Sequence, residues 1–95
     1  MFRHVASFKL KDDEKDMIQE IKRRILELKA IPQVRSIEMG IDEIKSPRSF
    51  DFAIIVDFDS YEDYMVYDTH ELHVPAKEFI LPKVSGAAAV DYYVD

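Results

Sequence analysis

The sequence contains no cysteine and no tryptophan, and only two glycines and four prolines in 95 residues. Without cysteine there is no disulfide, no thiolate nucleophile and no thiolate metal site, which accords with a reducing cytoplasm. Two glycines are too few for a phosphate-cradling loop or a nucleophile elbow, and no His-Glu zinc helix is present. Positive charge is also scarce. Thirteen basic residues against 19 acidic ones leave a net charge of −6, which argues against a nucleic-acid partner and against an anionic membrane surface. Long apolar runs are missing too: the opening Met1-Phe2-Arg3-His4-Val5 turns charged by Lys9, so it lacks the core of a signal peptide, and no later run approaches a membrane span. The expectation is a soluble, cytoplasmic protein for which nothing calls for a cofactor.

What the chain does have is apolar surface. At 47% hydrophobic residues it is far from the composition of a disordered segment. Its length makes one domain, residues 1–95, and a monomer of this size buries a limited share of its surface. With disulfides excluded, subunit association is the expected supplement.

Phe2, His4, Ala6, Phe8 and Leu10 alternate with Arg3, Val5, Ser7 and Lys9, which predicts a strand with a mainly apolar inner face. Asp12 or Asp13 can then accept from the free amides of a helix running to about Ala30 and stopped by Pro32. Met17, Ile18, Ile21, Ile25 and Leu28 form its buried stripe, with acidic residues at its start and basic ones nearer its end. Val34 to Ile41 reads as a second strand, in which Val34 is out of phase and Gly40 marks a bulge. The strongest period-two signal follows, from Phe50 to Phe58, and predicts a central or pocket-lining strand. Ser60, with Asp63 three residues on, caps a second helix whose apolar face is Tyr61, Tyr64 and Met65. Pro75 opens a short helix through Leu81, and Ala87 to Val94 closes the chain as a strand.

The order β-α-β-β-α-β with an extra helical turn is the split βαβ pattern, so the fold class is α+β, ferredoxin-like, with helices on one face of an antiparallel sheet. The other face carries Val5, Ala53, Ile55, Ala87 and Ala89 in this reading. That is too apolar for solvent, and burial against a second copy, a dimeric α+β barrel, is the economical answer.

The titratable groups of interest are the three histidines, His4, His70 and His73, together with Tyr67. His4 shares the inner strand face with Phe8, where it is either a core histidine hydrogen-bonded to a neighbour or a general acid, base or orienting donor. Tyr67, His70 and His73 follow at intervals of three, so on a continuous helix Tyr67 and His70 share a face with His73 one turn on. The competing reading is a polar helix end. A metal site at His4, His70 and His73 is not expected, because the spacing is not diagnostic and no paired carboxylate accompanies it. The tyrosines and phenylalanines fall on strand and helix periodicities without interleaved basic residues, which makes them core and not a stacking platform for bases.

Several segments together resemble the stress-responsive dimeric A/B barrel (Dabb) family. Arg3-His4-Val5-Ala6-Ser7-Phe8-Lys9 is similar to its first strand, and Asp57-Phe58-Asp59-Ser60-Tyr61-Glu62-Asp63 to its turn into the second helix. Tyr67-Asp68-Thr69-His70-Glu71-Leu72-His73 is similar to its Tyr-x-x-His-Pro-x-His segment, with Glu71 in place of the proline, and Val90-Asp91-Tyr92 to its closing strand. The resemblance implies a homodimer with sheets packed face to face and a pocket in each subunit between sheet and helices. It does not imply one activity. By similarity to the plant polyketide cyclases of the family, His73 would remove a proton alpha to a carbonyl, Tyr67 would hold or protonate the carbonyl oxygen, and His4 would orient the substrate. His4, Phe8, Tyr67 and His70 are then the expected contacts to a small, largely apolar carbonyl compound. The alternatives are a non-catalytic stress-associated oligomer and, from related barrels, a cofactor-independent monooxygenase or a haem-binding protein, for which no residue speaks directly.

Overall fold

The first strand, β1, spans Phe2–Leu10 of a computed structural model that describes residues 1–95. Its alternation sends Phe2, Ala6 and Leu10 into the core, with His4 and Phe8 half-buried on the same face. The following helix is less uniform than the sequence suggests. A 3-10 segment over Asp12–Met17 precedes helix α1, Ile18–Glu27, and another 3-10 turn over Leu28–Ala30 ends it. Neither Asp12 nor Asp13 is the cap, because the tighter turn begins after Lys11, whose carbonyl accepts from the Glu14 amide. The predicted stripe is kept: Ile21, Ile25 and Leu28 are buried.

Strand β2 is Ser36–Ile41 and β3 is Phe52–Phe58. Both begin later than the sequence predicts. Gly40 pairs regularly with Ala53 and makes no bulge; the irregularity falls between Lys9 and Leu10, against the last strand. Helix α2, Tyr61–Asp68, is capped as expected by the Ser60 hydroxyl, which accepts from the Asp63 amide at 3.2 Å. Its buried residue is Tyr67, however, while Tyr61 and Met65 are exposed. Helix α3 spans His73–Ile80 with Pro75 in its first turn, where the missing amide costs no helical bond. Strand β4, Val84–Tyr93, completes the chain.

The four strands form one antiparallel sheet in the order β2-β3-β1-β4. This is the ferredoxin-like α+β arrangement, with β1 and β3 central. Register corrects the predicted outer face. Ala87 and Ala89 pair with Phe8 and Ala6 and therefore lie on the helix side of the sheet, while Ala88, Val90 and Tyr92 share the opposite face with Val5 and Arg3. Val90 is 64% exposed there, and Ala53 and Ile55 of β3 extend the same apolar stripe. One buried carboxylate lies on this face: Asp57, 6% exposed, accepts two bonds from the Arg3 guanidinium at 2.8 and 3.0 Å and one from the Ser36 hydroxyl.

On the helix side the core divides in two. One cluster gathers Phe2, Ile31, Val56, Phe58 and Tyr67 near α2, and the other gathers Ile21, Ile25, Phe52, Ile54 and Ile80 between α1 and the end of α3. No helix is long and apolar enough to cross a membrane.

Candidate functional site

A small apolar cavity of about 50 Å³ lies at the seam between the two clusters. Leu28, Tyr67 and Ala76 come to it from the first cluster, and Ile25, Ile54 and Ile80 from the second. Phe8, His73, Lys77 and Leu81 complete the wall, so the polar side chains that reach it are those of Tyr67, His73 and Lys77.

Tyr67 and His73 arrive from different helices. Helix α2 stops at Asp68, and the turn that follows is closed by the His70 carbonyl, which accepts from the amides of His73 and Val74. Tyr67, His70 and His73 therefore do not share one continuous helix, the condition on which their common face depended, and the chain doubles back so that the His73 ring stacks on Tyr67 at 4.1 Å between centroids and 25° between planes. The His73 Nδ1 atom lies 3.1 and 3.2 Å from the main-chain carbonyls of Tyr67 and Asp68. Carbonyls only accept, so Nδ1 carries the proton and neutral His73 has its lone pair on Nε2. Burial pushes the His73 pKa below its usual value, partly opposed by the hydrogen bond to the Asp68 carbonyl. His73 is accordingly a neutral base near neutral pH.

Tyr67 is 1% exposed, and its hydroxyl has no hydrogen-bond partner in the protein. Burial first, then the nearby Tyr64 and Asp68, raises its pKa well above the ordinary phenol range. It therefore remains a protonated donor. A buried hydroxyl without an acceptor costs about 1–3 kcal/mol, and such groups are uncommon enough to require a reason.

The other two histidines stand apart from this cavity. His4 reaches across to β4, where its Nδ1 donates to the Asp91 carboxylate, and its ring lies 5.3 Å from that of Tyr64. Its side chain is 15% exposed and does not line the cavity wall. Between it and Tyr67 stands Tyr64, 6.3 Å from the Tyr67 ring. His70 is used locally: its Nδ1 accepts from the Leu72 amide at 3.0 Å, capping the turn into α3. Phe8, which stacks on Phe52 at 5.1 Å, does line the cavity. No three His, Asp or Glu side chains come together in a way that would hold a metal ion. Lys77 was not singled out by the sequence, although it follows His73 by four residues and so shares its helix face.

A four-stranded antiparallel sheet with helices on one face, an apolar stripe on the other and a cavity under the helices defines a ferredoxin-like α+β protein. More narrowly, the chain belongs to the stress responsive A/B barrel domain family, whose model matches residues 2–94. A dimeric ferredoxin-like protein of unknown function from Bacteroides fragilis is similar at 30% identity, over 98% of this chain and 95% of that one, with a TM-score of 0.84. One from Thermobifida fusca, also dimeric and of unknown function, is similar at 26% identity, over 98% and 90% of the two chains, with a TM-score of 0.88. The hydroxynitrile lyase of Passiflora edulis shares the fold, at 19% identity over 99% and 93% of the chains and a TM-score of 0.85. A search of curated proteins finds no match.

Proposed function

We propose that this protein is a cytoplasmic homodimer that binds a small, largely apolar carbonyl compound in the cavity between sheet and helices. The observation that carries the reading is the Tyr67 hydroxyl, a buried donor with no acceptor in the protein, in a wall otherwise built mainly of aliphatic and aromatic carbon. A carbonyl oxygen supplies the missing acceptor while the rest of the molecule matches the apolar lining. The volume limits the guest. About 50 Å³ is nearer to the space of one or two water molecules than to the roughly 300 Å³ at which drug-sized sites begin. A short alkyl ketone end fits with little rearrangement, and a longer ligand requires α3 to move outward. A groove bounded by Arg24, Leu72 and Pro75 lies on the other side of Leu28 and Ala76, side chains that it shares with the cavity. Displacement of that shared wall is the natural route of entry.

A catalytic reading is favoured by one further observation, the tautomer of His73. Its Nε2 lone pair, beside a protonated phenol, is the pairing that proton removal alpha to a carbonyl needs: a base for the carbon acid and a donor for the developing enolate oxygen. His4, held by Asp91 behind Tyr64, has in this reading an orienting role at most. The two readings separate by experiment. Calorimetric titration with short methyl ketones and β-diketones should reveal a ligand for the wild type and about tenfold weaker binding in Tyr67→Phe, the worth of one hydrogen bond in a dry site. Absence of binding across the panel would refute the carbonyl site. Exchange of the ketone's alpha hydrogens for deuterium, lost in His73→Gln, would establish the catalytic reading.

A further inference from the structure

Helix α2 carries large apolar side chains on both of its sides. Tyr67 is buried and Tyr64 packs on Phe2 and Phe58, which fixes the inward side. Tyr61, Glu62, Met65 and Val66 recur at three and four residues on the opposite side and are all exposed. For the three apolar members the exposure is 47%, 49% and 46%. A helix packed on one sheet needs a single apolar stripe, as α1 has among its charged residues, so the core does not account for this second face. Tyr61 is steadied by an edge-to-face contact with Phe2 at 5.6 Å, while Met65 and Val66 stand in solvent. The surroundings are acidic: Asp59, Glu62, Asp63, Asp68 and Glu71 fall between Phe58 and Lys77 with no lysine or arginine among them. Arg35 binds Asp59 and Lys77 pairs with Asp68, but Glu62, Asp63 and Glu71 form no ion pair.

We infer that the outward face of α2 is a docking surface for a basic amphipathic helix of another protein, whose apolar stripe covers Met65 and Val66 and whose lysines or arginines answer Glu62 and its acidic neighbours. Helices pack ridge between ridges, and an amphipathic helix supplies anchors at the spacing that α2 itself presents. Tyrosine and methionine are enriched at protein interfaces, and the flexible methionine side chain adapts to the surface laid on it. The unpaired carboxylates select the sign of the partner's charge and draw it in from a distance. A second copy of this chain is the poorer occupant, because it would bring a further net charge of −6 against the same acidic surface. Neither Met65 nor Val66 lines the cavity, so this surface is separate from the carbonyl site and does not depend on it.

The probe is a fluorescein-labelled amphipathic helical peptide of leucine and lysine, compared with a leucine and glutamate peptide of the same pattern, and followed by fluorescence anisotropy. The wild type should bind the lysine peptide, less tightly as salt is raised, and leave the glutamate peptide unbound. Met65→Ser and Val66→Ser should each weaken binding about fivefold, the effect of losing a half-exposed apolar side chain from the contact. Met65→Leu should bind like the wild type. Glu62→Gln should bind more weakly and with a shallower salt dependence, while Asp13→Asn, an exposed acid at the opposite end of the sheet, should change neither. Circular dichroism checks that each variant is folded, and because the substituted side chains are exposed, folding should be kept. No binding of the lysine peptide, equal binding of the two peptides, or serine variants that bind like the wild type would each overturn the inference. Light scattering that finds an assembly larger than a dimer for the wild type and its loss in Val66→Ser would assign the face to another copy of the chain, and overturn it too.

Discussion

Replacing Tyr67 by phenylalanine removes one oxygen atom from the centre of the protein, and the direction of its effect on stability separates a structural tyrosine from a ligand-binding one. Tyr67 is 1% exposed and no protein group accepts from its hydroxyl. The folded state therefore bears the desolvation of an unpaired hydroxyl, about 1–3 kcal/mol, that the unfolded chain avoids by hydrogen bonding to water. Phenylalanine lifts that penalty. It preserves the stacking on His73 and the packing against Phe58, and the space left by one oxygen costs only a few tenths of a kcal/mol at about 24 cal/mol per Å³. The net expectation is a gain of about 1–2 kcal/mol, which in a domain of this length raises the melting temperature by about 4–8 °C per kcal/mol. Urea denaturation followed by circular dichroism gives the free energy directly, and the same preparations titrated with ketone give the affinity. Greater stability together with weaker binding is the signature of a group retained for a ligand. If Tyr67→Phe loses 1 kcal/mol or more, the hydroxyl has a stabilising partner in the folded protein and the argument for a carbonyl acceptor fails.

Three further outcomes are expected. Because burial holds the His73 pKa below 6.5, in surroundings that include Tyr67, Asp68 and Lys77, the unfolded chain binds more protons there than the native one. The His73 contribution is complete above pH 6.5 and is lost as pH falls through the native value, with a slope of at most about 1.4 kcal/mol per unit; urea midpoints in His73→Gln should depend less on pH than those of the wild type, and equal slopes would contradict the burial of a neutral imidazole. Val90, 64% exposed in the apolar stripe of the outer sheet face, should lie at a subunit interface, so light scattering should find a dimer for the wild type and a monomer for Val90→Asp; a wild-type monomer would refute the interface. Ser60→Ala should lose about 1 kcal/mol through the amide of Asp63, with binding unchanged, and an unaltered melting temperature would show the cap to be dispensable.

The parts of this fold that can be read from the sequence are those where polar and apolar residues contrast along a period. The α1 stripe repeats at three and four residues among charged neighbours, and in β3 Phe52, Ile54, Val56 and Phe58 take every second place although Ala53 and Ile55 keep the other face apolar too, so both were legible. Strand β4 has no such contrast. Gly86-Ala87-Ala88-Ala89 offers nearly equal side chains to both faces, so its phase is fixed only by pairing with β1, which turns Ala87 and Ala89 toward the helices. Helix α2 fails in the opposite way: tyrosines at 61, 64 and 67 and the exposed Met65 and Val66 surround it with large residues, and only the contacts to Phe2 and Phe58 reveal which side is buried. At the site, Tyr67 and His73 were legible through family resemblance, but their stacking was not, because it depends on a chain reversal between Asp68 and His73 that no proline or glycine announces. Lys77 becomes visible only in the fold, where its Nζ donates to the same Asp68 carbonyl that the His73 Nδ1 contacts.

The two faces of the sheet treat their buried polar groups differently, and this supports a division of labour between them. On the outer face Asp57 receives a two-pronged bond from Arg3 and another from Ser36, and these partners hold its pKa below the usual carboxylate range despite burial. A buried carboxylate so satisfied is part of the structure, suited to the face proposed above as the one a second subunit covers. On the helix side, Ser60, three residues after Asp57 and immediately before α2, likewise spends its hydroxyl on a helix amide. Two buried side-chain atoms are left unpaired, the Gln33 Oε1 and the Tyr67 hydroxyl; of the two residues only Tyr67 lines the cavity, beside a histidine whose second nitrogen is also uncommitted. A chain able to pair a carboxylate at 57 and a hydroxyl at 60 was not short of ways to pair one at 67. What distinguishes position 67 is the cavity next to it, so the missing partner is best sought in what enters that cavity.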